Sequence, residues 1–88
     1  MKIIMFYELA DDGLAKVPAN FPAHKARLEE FHARGVLLMA GPYGNPPQGA
    51  LGIFMSQEAA AEFVKDDPFV VNGVVGHYTF QPWNEVLG

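Results

Sequence analysis

The order of apolar and polar positions divides the chain into six segments. Lys2 to Glu8 (KIIMFYE) puts Ile3, Met5 and Tyr7 on one side of a strand and Ile4 and Phe6 on the other, so both faces of this strand are expected to be covered. The next stretch, ADDGLAKVPAN, carries Gly, Pro and charge and reads as a loop of about ten residues. From Asn20 to Gly35 the spacing predicts a helix, with Asn20 as its N-cap, Pro22 in its first turn and Gly35 just past its end. At about 100° per residue Phe21, His24, Leu28 and Phe31 form one stripe, with Lys25, Glu29, Glu30 and Arg34 outside it. Val36 to Ala40 is a second strand, ended by a Gly41-Pro42 turn. Ala50 to Met55 is a third, apolar on both sides, in which Gly52 marks a bulge or a close backbone approach. Ser56 caps a second helix from Gln57 to about Asp66, with Ala60, Phe63 and Val64 inward and Glu58, Glu62 and Lys65 outward. Asp66-Asp67-Pro68 ends it, because a residue before proline is pushed out of the α region. Val74 to Phe80 is a fourth strand, continued loosely through Trp83.

The order β-α-β-β-α-β is the split, ferredoxin-like arrangement of the α+β class: a four-stranded antiparallel sheet with both helices on one face. The other face is left bare. Because its strands are apolar on that side too, a second copy of the chain is expected to cover it, sheet against sheet, in a homodimer. Residues 1–88 are expected to form one domain, without linker, repeat or low-complexity stretch. A chain this short hides only about 60–65% of its unfolded surface, which also favours a partner subunit.

Composition narrows the function. Half of the residues are hydrophobic and the net charge is −4, with six Lys and Arg scattered along the chain, so neither disorder nor nucleic-acid binding is expected. No apolar run of about 18 residues suits a membrane span. Acidic residues follow the first apolar segment where a cleavage site would need small ones, so that segment reads as a strand and not a signal peptide. The absence of cysteine excludes disulfides, Cys-type zinc sites and thiol catalysis, and suits a cytoplasmic location.

The chemistry centres on His24. An imidazole among Phe and Leu needs a polar partner, since an unpaired buried group costs about 1–3 kcal/mol. In this topology one edge of the sheet gathers the start of the first helix, the Gly41-Pro42 turn and the end of the second helix with Asp67-Pro68-Phe69. Asp67 falls on the inward face of the second helix and is the expected partner of His24. A carboxylate at a helix C-terminus opposes the dipole, and His24 is expected in the positive first turn of its own helix. Such a pair suits proton transfer. The other reading has Asp67 capping a loop and His24 bonded to a carbonyl as a core residue. His77, mid-strand, reads as a packed or edge residue and His32 as solvated. No spacing builds a metal site, no glycine-rich phosphate loop is present, and Ser56 is explained as a cap. Neither metal nor cofactor is expected.

Pro22-Ala23-His24 with Leu28, Gly35-Val36-Leu37 running into Ala40-Gly41-Pro42, Ser56 with Glu58-Ala59-Ala60, Asp67-Pro68-Phe69-Val70 with Gly73-Val74, and Pro82-Trp83 together resemble the YCII-related proteins, over about residues 1–86. The resemblance implies a dimeric α+β barrel with a His-Asp active site, carried here onto His24 and Asp67. It also implies a lyase- or isomerase-like reaction, since related members are dehydrochlorinases of chlorinated aromatics. Phe21 departs from the pattern, where many relatives have Arg. Phe21, Gly41, Pro42 and Phe69 are expected to shape a pocket for a small aromatic or enol-type molecule. Three functions stay open: a cofactor-independent enzyme, a non-catalytic binding or accessory dimer, and an interaction module whose pocket is filled by side chains.

Overall fold

A computed structural model describes residues 1–88. The elements are β1 (Lys2–Leu9), α1 (Gly13–Ala33), β2 (Leu37–Tyr43), β3 (Gly49–Phe54), α2 (Gln57–Asp66), α3 (Pro68–Val71) and β4 (Val75–Trp83). The strands form one antiparallel sheet in the order β2-β3-β1-β4. This is the ferredoxin-like α+β fold. On β1 the side chains of Ile3, Met5 and Tyr7 are buried beneath the helices, and the core continues through Phe31, Leu37, Phe54, Ala60 and Phe63. The alternate positions point to the bare face, where the register sets Ile4 beside Ile53 and Phe6 beside Leu51. No helix is long and apolar enough to cross a membrane.

The first helix is longer than its local residues suggest. The stretch expected as a loop is helical from Gly13, so Asn20 is not an N-cap and Pro22 is not in the first turn. Pro18 and Pro22 both lie inside α1, where each removes a backbone donor. What outweighs that loss is the stripe, which runs upstream as Leu14, Val17, Phe21, His24, Leu28 and Phe31 at intervals of three and four. Tertiary packing of such a face supplies most of a helix's stability. The displaced Asn20 is used otherwise: its Nδ2 donates to the Lys16 carbonyl at 2.9 Å and its Oδ1 accepts from Asn72 Nδ2 at 2.7 Å, tying α1 to the end of α3. Gly35 does stop the helix, at a φ of 78°, with its N–H on the His32 carbonyl.

Gly41 and Pro42 belong to β2 and do not form a turn: they pair with Leu51 and Ala50. Pro42 is tolerated because β2 is an edge strand. The register shift on this pair lies between Leu37 and Met39, not at Gly52, which is instead approached by the Met5 and Phe54 side chains. Ser56 caps α2 by accepting the Ala59 N–H at 3.1 Å. His77 is exposed on the edge strand β4, and His32 is exposed with Nδ1 2.9 Å from the Leu37 carbonyl.

Gly13 starts α1 directly against the backbone of Val74, the residue before β4, and a Cβ there would collide with the Val74 carbonyl. Gly13→Ala is expected to lower stability by about 1–3 kcal/mol, because backbone on both sides must shift. Urea unfolding of the two proteins measures it.

Candidate active site

Asp67 is fully buried, with no exposed surface at all. Its backbone is extended (φ −68°, ψ 122°), ending α2 and capping α3 in one residue. It lies at the C-terminus of α2, as expected, and it also caps the following helix, where its Oδ1 accepts the Phe69 N–H at 3.2 Å. Oδ1 also lies 2.7 Å from His24 Nδ1, and Oδ2 accepts the Tyr7 hydroxyl at 2.7 Å. Three donors from β1, α1 and α3 thus converge on one carboxylate, as a buried charge requires.

His24 is held on every side but one. Residue 24 sits near the middle of α1, so the expectation of a positive first turn is also corrected; the geometry, and not a helix dipole, sets this pair. The Phe69 ring stacks on the imidazole with centroids 3.7 Å apart and planes 3° from parallel, and Phe63 meets it edge-on at 6.3 Å. With Nδ1–H donating to Asp67, the lone pair is left on Nε2, which has no protein partner and is not sealed in. His24 lines a cavity of about 320 Å³ between α1 and the sheet. Phe21, Gly41, Pro42 and Phe69 line it too, with Met5, Leu14, Val17 and Leu28. The cavity is open and apolar. Its walls come mainly from the strands and α1, with Phe69 of α3 and Pro47 of the β2–β3 connection, and both Gly41-Pro42 and the segment before His24 are regular structure there.

The profile of the YCII-related domain matches residues 1–84. This chain belongs to the YCII-related family. The YciI proteins of Escherichia coli O6:H1 and Shigella flexneri are each 36% identical to it over 99 aligned positions, covering 99% of this chain and all of theirs. In fold this YCII-related chain is similar to 5-chloro-2-hydroxyhydroquinone dehydrochlorinase from Burkholderia phenoliruptrix AC1100, solved in complex with 2,5-dihydroxybenzoquinone. The TM-score is 0.78 at 22% identity, over 96% of this chain and 94% of the other. The structured domain of Caenorhabditis elegans BMY-1 is a more distant match, with a TM-score of 0.59 at 15% identity over 97% and 98% of the two chains.

Tyr7 is the residue that sequence reasoning missed. It shares one side of β1 with Ile3 and Met5 on a strand expected to be covered on both faces, and a buried tyrosine hydroxyl needs a partner, which was the available signal. Burial, reinforced by the Asp67 carboxylate it faces, holds this hydroxyl protonated far above the usual phenol range. Tyr7→Phe strips Oδ2 of its donor and is expected to cost about 1–3 kcal/mol in urea unfolding near neutral pH. A pKa raised on folding gives stability that is complete below the unfolded value, about 10 for a phenol, and that fades as pH climbs beyond it. The advantage of the parent over Tyr7→Phe should therefore shrink above about pH 10.

Proposed function

We propose that this YCII-related protein is a cofactor-independent enzyme that moves a proton on a small aromatic or enol-type molecule, in a lyase- or isomerase-like reaction. His24 is the general base and acid, and Asp67 orients it. The observation that carries this reading is the asymmetry of the imidazole: Nδ1 is fixed by a buried carboxylate, while Nε2 has no protein partner and the residue lines an apolar cavity. Nε2 takes a proton from a substrate C–H or O–H bond, whose electron pair stays on the substrate as an enolate or phenolate. The imidazolium returns the proton at another atom, giving an isomer, or the electron pair expels a leaving anion, giving elimination, after which the imidazolium releases its proton to solvent and the neutral base is restored. Phe21, Gly41, Pro42 and Phe69 exclude water from the reacting atoms. The fold likeness to a dehydrochlorinase of a hydroxylated aromatic supports this choice of substrate class. A filled pocket, as an interaction module would have, does not fit the open cavity.

The working form on this reading is a homodimer, in which the bare sheet faces carrying Ile4, Phe6, Leu51 and Ile53 cover each other. Sedimentation equilibrium at micromolar concentration should show a dimer; a stable monomer there contradicts it.

A thermal-shift screen of phenols and quinones, including 2,5-dihydroxybenzoquinone and 5-chloro-2-hydroxyhydroquinone, followed by product analysis of each stabilising compound, tests the activity. Turnover is the expected outcome, and a ligand recovered unchanged in every case identifies a binding protein instead. With a turned-over compound in hand, His24→Ala should lower kcat about 10²–10⁴-fold while the fold survives. Asp67→Asn should lower it too, by leaving the ring free to adopt the wrong tautomer. Two destabilised variants with full activity per folded molecule would mean that the pair only packs.

A further inference from the structure

Among the side chains lining the cavity only Tyr7, His24 and Lys25 carry an ionisable group. The Tyr7 hydroxyl and His24 Nδ1 are already committed to Asp67. The ammonium of Lys25 is committed to nothing: it forms neither a hydrogen bond nor an ion pair, although Glu29 stands one turn further along α1. Four of the other five Lys and Arg side chains are occupied. Lys2 holds Glu85, Lys16 holds Asp12, Arg34 holds Glu62, and Arg27 donates to the Glu62 and Phe63 carbonyls. Lys65 is exposed on α2, away from the cavity lining. Lys25 also borders a second, shallower depression with Leu28 and Ala40, so it sits on the seam between the two spaces.

We infer that Lys25 is an anion-binding residue of this cavity and that the ligand is a compact, unsaturated molecule bearing one anionic oxygen, a phenolate or enolate. The inference rests on the proposed function for where the ligand lies, and adds its charge. Three physical points lead to it. Besides the Tyr7 hydroxyl, which already donates to Asp67, the walls offer only His24 and Lys25 as hydrogen-bonding side chains, so the charged oxygen of a ligand must be met by these two. Near apolar walls the attraction between unlike charges is screened less than in bulk water. A lysine presents a compact point charge suited to a single oxygen, whereas a planar, two-oxygen group is better matched by the fork of an arginine. The residue neighbouring His24 then also neutralises the charge that proton abstraction leaves on the substrate oxygen.

Equilibrium binding of 4-nitrophenolate, its neutral analogue 4-nitroanisole, and benzoate tests this without turnover. With the phenol ionised and at low ionic strength, the parent protein should bind 4-nitrophenolate at least about tenfold more tightly than 4-nitroanisole, and more tightly than benzoate. Lys25→Met should erase the preference over 4-nitroanisole and Lys25→Arg should keep part of it; position 25 is exposed, so both variants should retain the parent's circular dichroism. Equal affinity for the phenolate and its neutral analogue, an undiminished preference in Lys25→Met, or no binding of any probe overturns the inference. A preference for benzoate overturns the single-oxygen assignment. A protein that prefers the phenolate yet converts no compound refutes the proposed reaction and leaves this inference standing.

Discussion

A carboxylate with no exposed surface, reached by a phenol, an imidazole and a backbone amide, is the constraint around which this molecule is arranged. Burying such a group alone would cost several kcal/mol, so its donors must all arrive. Tyr7 comes from 60 residues away in sequence and His24 from 43. The phenol, the imidazole and the Phe69 amide supply three donors to the Asp67 carboxylate, two on Oδ1 and one on Oδ2, which draws β1, α1 and α3 to one point. The break between α2 and α3 follows from the same need: an unbroken helix would place residue 67 in regular backbone, whereas its extended conformation lets the carboxylate cap the next turn.

The cavity is the counterpart of that convergence. α1 extends upstream of His24 so that Leu14, Val17 and Phe21 roof the space above Met5, Tyr7 and Ala50. The imidazole stands between the polar cluster below and the apolar space beside it, clamped by the Phe69 ring. An imidazole in the interior of a helix, supported by a buried acceptor and a stacked ring, is held more rigidly than one carried by a loop. The same two prolines that weaken α1 locally are tolerated because its stripe has the sheet to pack on.

Much of this was legible in the residues. The two-sided apolarity of β1 and β3, the Ser56 cap, the αL glycine at position 35 and the helical stripe through His24 each carry a local physical signal, and together they define the ferredoxin-like order. The inward face of Asp67 was legible as well, since it continues the spacing of Ala60, Phe63 and Val64. The N-terminal half of α1 was not, because Gly13, Pro18 and Pro22 are breakers by local propensity, and only the continued spacing of Leu14 and Val17 argues the other way. Gly41-Pro42 misled for the same reason: the dipeptide is a turn signal unless the strand lies at a sheet edge, which is a property of topology. The helix-dipole argument for the pair failed because it depended on those boundaries, while the pairing itself depended only on which faces meet.

The central claim is that Asp67 fixes the His24 ring with its proton on Nδ1 and its lone pair on Nε2 toward the cavity. Long-range nitrogen–proton correlation NMR on protein labelled at histidine reads this directly when the ring is neutral. The account predicts the Nδ1–H tautomer for His24 in the parent protein, its loss in Asp67→Asn, and a shift of the Nε2 resonance when a ligand occupies the cavity. A parent protein with the proton on Nε2, or with both tautomers in exchange, would contradict it.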